Sequence, residues 1–420
     1  MRYDQHTLPN GLHIVGEHNA SAKSVAIGFF TRTGGRDEIP AISGVSHFLE
    51  HMMFKGSERR SASDVNREFD EIGANNNAFT SEENTVYYGA VLPEFQSRLL
   101  DLLADMLRPS LRQDDFDTEK KVILEEIAMY QDRPFFTTFD LARETYHHGH
   151  PLGNSVLGST ESISALERDQ MMAYFERRYA PNNMTLVLVG NYDWEAAVAQ
   201  TETLCGGWQP ADAPRALSRP EPFPQERMVV DAKRDRLYLC AVAPAPAAQD
   251  DERYAAEVLA ETLGGGDGSR LYWALTHPGL ADTAGLSYDA NDGAGAFFAY
   301  ASCSPTHAKD VMEILRSTLV SIQDEPPPEA ELARARRKLA TGTVIQGETP
   351  MGRLTSVGFD WMYRHKIDPL DKVVDRYLGV SPEHVARLVS DRPFDQLTLV
   401  ALGPEPGEIK SLADAAALEE

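Results

Sequence analysis

A chain of 420 residues is longer than one hydrophobic core supports, since single cores stop growing near ~250–300 residues, so two domains of roughly 200 residues each are expected. With 42% hydrophobic and 25% charged residues, the composition is that of a globular protein and excludes fibrous and disordered classes. Forty basic residues against 64 acidic ones leave a formal charge of −24, which argues against nucleic acid and anionic membrane as partners, because both need a basic face. If charge selects a partner, that partner is neutral or cationic, such as a basic peptide.

The chain runs from Met1 almost directly into a strand and turn, Thr7-Leu8-Pro9-Asn10-Gly11-Leu12-His13-Ile14-Val15. It lacks the basic segment and apolar run of a secretory signal, and no apolar stretch approaches the ~18–20 residues of a membrane span. Cys205, Cys240 and Cys303 are the only cysteines, a sparse and odd set that points to buried thiols in a reducing compartment. A soluble cytoplasmic protein is the expectation.

A strand-like run covers Ser24 to Thr33. In Ser43 to Phe54, Val45, Phe48, Leu49, Met52 and Met53 fit helical spacing, with Ser43 available as the cap. His47-Phe48-Leu49-Glu50-His51 lies inside that helix. Residues four apart share a helix face, so His47 and His51 can present two imidazoles to one metal ion. Glu50 is one turn from His47 and adjacent to His51, close enough to hold a water beside the ion as a general base without being a ligand. As ordinary histidines on a helix they would need no such neighbour.

Asn75-Asn76-Asn77 reads by itself as a turn. Thr85 to Leu92 reads as a strand, and Glu94 to Leu107 and Phe116 to Gln131 as helices. A catalytic zinc takes three protein ligands and leaves one position open. The third ligand is sought in the second of these helices, where Glu119 and Glu126, two turns apart, share a face; spacing alone does not choose between Glu125 and Glu126. His147, His148 and His150 are interleaved with Gly149, Pro151 and Gly153, which favours a solvated loop over a second metal site. Met184 to Val189 closes the first half as a strand.

Prolines 210, 214, 220, 222 and 224 exclude regular structure between Gln209 and Arg227, so the expected division is a domain over 1–209, a linker over 210–227 and a domain over 228–420. The halves look like copies. Thr85 to Pro93 with its following helix recurs at an offset of 212 as Phe297 to Pro305 running to Leu319, and Met184 to Gly190 recurs as Leu397 to Gly403. Repetition at so long a period means duplicated domains. Gly264-Gly265-Gly266-Asp267-Gly268-Ser269 lacks the Lys and the spacing of a phosphate loop.

On His47 to His51 with Met53-Phe54-Lys55-Gly56, Gly73 to Glu82, Leu124-Glu125-Glu126 and His150-Pro151-Leu152-Gly153, the chain resembles the inverted-zincin peptidases, the group of pitrilysin, insulin-degrading enzyme and the mitochondrial processing peptidase. The resemblance covers nearly the whole chain and implies an α+β fold of two homologous domains, each a mainly antiparallel sheet packed against helices, in a half-length chain that dimerises. It implies Zn2+ held by His47, His51 and Glu126, with Glu50 as catalytic base and Glu119 as a supporting group, which settles the choice against Glu125. It further implies that Asn77, Ala78 and Phe79 form an edge strand that binds peptide substrates by backbone pairing.

Active members of the family carry an Arg and, seven residues later, a Tyr in the second domain. Aligned on Gly279, Leu275 and Asp282 stand there, and neither does the same work: Leu has no donor and Asp repels a developing oxyanion. This implies a zinc-bearing subunit whose paralogous partner brings the Arg and Tyr, with a homodimer as the next possibility. A peptide-binding or assembly subunit without turnover is the non-catalytic alternative, against which stands the retention of Glu50 beside two histidines.

Overall fold

The computed structural model describes residues 1–221 and 223–405. Two compact units form, each around its own sheet: Met1–Met129, Asn154–Ala216 and Ile345–Asp368 make the first, and Tyr130–Gly153, Leu217–Val344 and Pro369–Glu420 the second. Among the described residues eleven strands form: β1 (Arg2–Thr7), β2 (His13–His18), β3 (Val25–Thr31), β4 (Asn75–Thr80), β5 (Thr85–Val91), β6 (Met184–Gly190), β7 (Glu226–Val230), β8 (Leu237–Pro244), β9 (Ala281–Asn291), β10 (Ala294–Cys303) and β11 (Thr398–Gly403). Four of the helices carry the site or cover the sheets: α1 (Val45–Met53), α2 (Gln113–Gln131), α3 (Pro134–His147) and α4 (Pro350–Arg364).

The first sheet has the order β1-β2-β6-β3-β5-β4 and the second β7-β11-β8-β10-β9. Apart from β1 the two orders correspond strand for strand, and in each the single parallel pair occupies the same place, β2 with β6 and β7 with β11. All other neighbours are antiparallel. The expected α+β duplication is therefore what forms, and the repeated segments, β5 with helix Gln96–Met106 and β10 with helix Ala308–Ser321, occupy equivalent places.

The boundaries differ from a division of the chain at its Pro-rich segment. α3 lies in the first half of the sequence but belongs to the second unit, and α4 lies in the second half but belongs to the first. Every residue of β3 and β6 is buried, so the sheet needs cover on both faces, and amphipathic helices supply it. Leu354, Val357 and Met362 of α4 pack on Val15, Ala26, Phe30, Val86, Val187 and Val189 of the first sheet. In the second unit, Ala142 and Tyr146 of α3 pack on Cys240, Val242, Ala296, Phe298 and Val400. Gly358 makes the close approach of α4 possible, because a Cβ there would lie 2.2 Å from the Phe30 ring. A buried ion pair, Arg353 to Glu17 at 2.8 Å, ties α4 to β2.

The segment between Gly206 and Gln225 has no regular element among its described residues, as its prolines require. Its first part is fastened to the first unit rather than free: the Arg215 guanidinium donates to Asp37 at 2.6 Å, and Arg178 donates to the Pro214 carbonyl. All three cysteines are buried and unpaired. Among the described residues, no helix is long and apolar enough to cross a membrane.

Candidate metal centre

Phe48, Leu49, Met52 and Met53 bury one side of α1. That leaves His47, Glu50 and His51 on the remaining face, as the 3.6-residue period requires. Ser43 does not cap this helix. The N-cap is Gly44, left-handed at φ 89° with no side-chain cap of its own. Instead the buried carboxylate of Glu38 accepts from the backbone N–H groups of Gly44 at 2.6 Å and Ser46 at 2.7 Å. A Cβ on Gly44 would meet the Leu157 carbonyl oxygen at 2.5 Å, so a capping side chain is excluded at this N-cap position and the capping group comes from a distance.

α2 docks on α1 through Phe116, whose ring stacks on Phe48 at 4.8 Å between centroids. Phe116, Glu119, Ile123 and Ile127 are the buried stripe of α2. Glu126 lies at the edge of that stripe beside α1, whereas Glu125 is exposed. The Glu126 carboxylate comes within 3.8 Å of His47 Nε2 and 3.6 Å of His51 Nε2. One donor atom from each of His47, His51 and Glu126 lies within 4.8 Å of the other two, and no other such trio exists among the described residues. Two imidazoles and a carboxylate at this separation fit a divalent transition metal, and the donor set is that of a three-ligand zinc site with one position left over.

Burial and the surrounding charges shift these groups in different directions. Burial, and then the neighbouring His51, hold the His47 imidazole down to about 3, so it stays neutral and able to donate a lone pair. His51 Nδ1 is 2.9 Å from Glu119 Oε1. Burial depresses the His51 pKa, but Glu119, Glu126 and Glu50 outweigh it, and the net direction is upward. Burial would raise Glu119, yet its bonds to His51 and Lys55 prevail and hold it ionised. Glu50 is raised, chiefly by burial, with Thr80 and His51 opposing and Glu126 adding to the rise. Thr80, the last residue of β4, donates its hydroxyl to Glu50 Oε2 at 2.5 Å, a contact invisible in sequence because 30 residues separate the two.

Asn75 to Asn77 are not a turn but the start of β4, the edge strand of the first sheet, paired on one side only with β5. The Ala78 N–H is exposed and donates to the side chain of its own neighbour, Asn77. Phe79 turns inward, its ring 6.2 Å from Tyr88 and 6.3 Å from Phe359. What β4 presents at its open side is thus backbone.

In the second unit, Leu275 is fully buried in the hydrophobic core and Asp282 on β9 pairs with Arg236 at 3.2 Å. The histidine cluster after α3 is less solvated than its glycines imply: His147 is buried at the end of the helix, His148 stacks on Phe223 at 4.0 Å, and His150 meets the Ser218 carbonyl at 2.9 Å. It offers no metal trio.

Comparisons agree with this two-sheet architecture. Residues 13–160 match the insulinase family, peptidase family M16, and residues 165–339 match the peptidase M16 inactive domain. The chain is 32% identical over 408 residues, 95% of its length and 89% of the relative's, to an uncharacterized zinc protease of Streptomyces coelicolor. To another of Mycobacterium tuberculosis it is 34% identical over 414 residues, covering 97% of this chain and 94% of that one. A protease from Helicobacter pylori has the same fold, with a TM-score of 0.88 at 20% identity over 96% of this chain and 99% of that one. The chain belongs to peptidase family M16.

Proposed function

We propose that this chain is a zinc-dependent endopeptidase acting on short or unfolded peptides. The observation that carries the reading is the convergence of His47, His51 and Glu126 on one point, with the Glu50 carboxylate held beside them by Thr80. Zinc, when bound by these three residues, supplies Lewis acidity that acidifies water and polarises a peptide carbonyl. Glu50 takes the proton of the attacking water on a carboxylate oxygen and passes it to the leaving amine. Its burial-raised pKa suits both halves of that exchange. Glu119 fixes the His51 ring through Nδ1, which leaves Nε2 to face the metal. The exposed backbone of Asn77, Ala78 and Phe79 pairs with an extended substrate by strand addition, displacing the Asn77 side chain from the Ala78 N–H.

Leu275 inside a core and Asp282 engaged with Arg236 leave this chain without an Arg and Tyr at those positions. On our reading a paralogous subunit supplies them in a heterodimer. Three buried, unpaired cysteines fit work in the cytoplasm.

The deciding experiment is Glu50→Gln: zinc content should be retained and cleavage of a mixed peptide library abolished, with wild type assayed alone and with its paralogue. Cleavage by the variant at the wild-type rate overturns the mechanism. Full wild-type activity that no paralogue changes overturns the shared site and leaves the zinc peptidase standing.

A further inference from the structure

The carboxylate that orients His51 is itself gripped from the other side. Glu119 uses Oε1 for His51 Nδ1, at 2.9 Å, and Oε2 for the ammonium of Lys55, at 2.5 Å. Lys55 follows α1 directly, one residue past its C-cap Phe54. Its N–H bonds to the Met52 carbonyl at 3.1 Å, and its own carbonyl accepts from Arg112, just before α2, at 2.5 Å. The lysine backbone is therefore tied to α1 and to the residue that precedes α2, and its side chain reaches across to Glu119 on α2.

A carboxylate with one partner rotates about its last torsion, where the energy wells are broad. With a partner on each oxygen it does not. We infer that Lys55 is a positioning residue for the metal centre, locking the Glu119 carboxylate so that it accepts from His51 Nδ1 and presents Nε2 of that ring to the metal. The inference rests on the zinc reading above. It also makes sense of the local charge: Glu50, Glu119 and Glu126 lie close together around the two histidines, and an ammonium on Glu119, which is not in the ligand trio, offsets one negative charge without occupying a ligand position.

Two effects of Lys55 on zinc oppose each other, and their signs separate the inference from a simpler alternative. As a bare positive charge near a cation site, Lys55 would weaken zinc binding, so removing it would tighten binding. As a positioning residue it strengthens binding, so removing it would loosen it. Loss of an outer-shell partner of a ligand costs ~10–100-fold in metal affinity, and a group one bond further out should cost about threefold to tenfold.

The test is competition for zinc against a chelator for wild type, Lys55→Met and Lys55→Arg, with the thermal midpoint of each metal-free protein as the check on folding. In parallel, nitrogen NMR of the His51 ring in the metal-free protein reports its tautomer. We expect zinc to bind Lys55→Met about threefold to tenfold more weakly, Lys55→Arg to regain most of that loss, and the Nδ1–H tautomer of His51 to lose population in Lys55→Met alone. Unchanged or tighter zinc binding by Lys55→Met, or an unchanged tautomer, overturns the inference. If wild type itself binds no zinc while Glu119 still orders His51, the zinc reading fails and this one fails with it. If wild type binds zinc and the variants match it, only the role of Lys55 is lost.

Discussion

Thr80 Oγ1 donates to Glu50 Oε2 at 2.5 Å, linking the end of the open-edged strand β4 to the carboxylate on α1. The strand proposed to receive substrate and the group proposed to move the proton are thus joined by one hydrogen bond. A bond to a charged group contributes about 1.5–3 kcal/mol, so Thr80→Val should lower kcat by roughly 10–100-fold while zinc content stays at the wild-type level. Thr80→Ser, which keeps the hydroxyl, should recover most of the rate. Steady-state kinetics with metal analysis checks this, and equal rates for valine and serine variants would count against the link.

Metal dependence follows from the donor set. Treatment with a chelator should abolish peptide cleavage, and added zinc should restore it. His47→Ala, His51→Ala and Glu126→Ala should each lose bound zinc, whereas Glu125→Ala should keep it, because Glu125 is exposed and outside the trio. Zinc stoichiometry of the purified variants decides this.

The first unit carries an acid-sensitive cluster. Arg60 donates to Asp101 at 2.6 Å and to Glu68 at 3.0 Å, and Arg59 reaches Asp101 at 3.1 Å. Burial would raise the Asp101 pKa, but the two guanidinium groups outweigh it and the net direction is downward. A depressed folded-state value means that the contribution to stability is present above the unfolded value near ~3.9 and is lost as pH falls through the folded one. Discounted for partial exposure, it is on the order of 1 kcal/mol. Asp101→Asn should therefore lower the thermal midpoint at pH 7, and the gap from wild type should close as pH falls from 4 towards 2. A gap that persists at low pH would assign the effect to something other than charge.

Gly358 lets α4 lie against β3. Alanine there would set its Cβ 2.2 Å from the Phe30 ring, and overpacking of this kind costs typically ~1–3 kcal/mol. Gly358→Ala should shift the unfolding midpoint of the chain downwards in urea. A midpoint equal to wild type would mean that Phe30 has room to move aside.

Much of the site was legible in the amino-acid sequence. The period of α1 alone places His47, Glu50 and His51 on one face, and the repeated strand–Pro–helix segments reveal two related sheets, because such patterns depend on neighbours a few residues apart. The same local view could not separate Glu125 from Glu126, which differ only in how α2 rolls against α1 on Phe116 and Phe48. It named Ser43 as the cap where Glu38 does that work, read Asn75 to Asn77 as a turn, and divided the chain at its prolines although α3 and α4 lie with the opposite halves. Thr80 on Glu50 and Lys55 on Glu119 also join different elements. Periodicity fixes which face of an element is apolar. Which partner that face meets, and which distant polar groups are thereby brought within hydrogen-bond reach, is decided only when both faces of each sheet must be covered and every buried charge must find a partner.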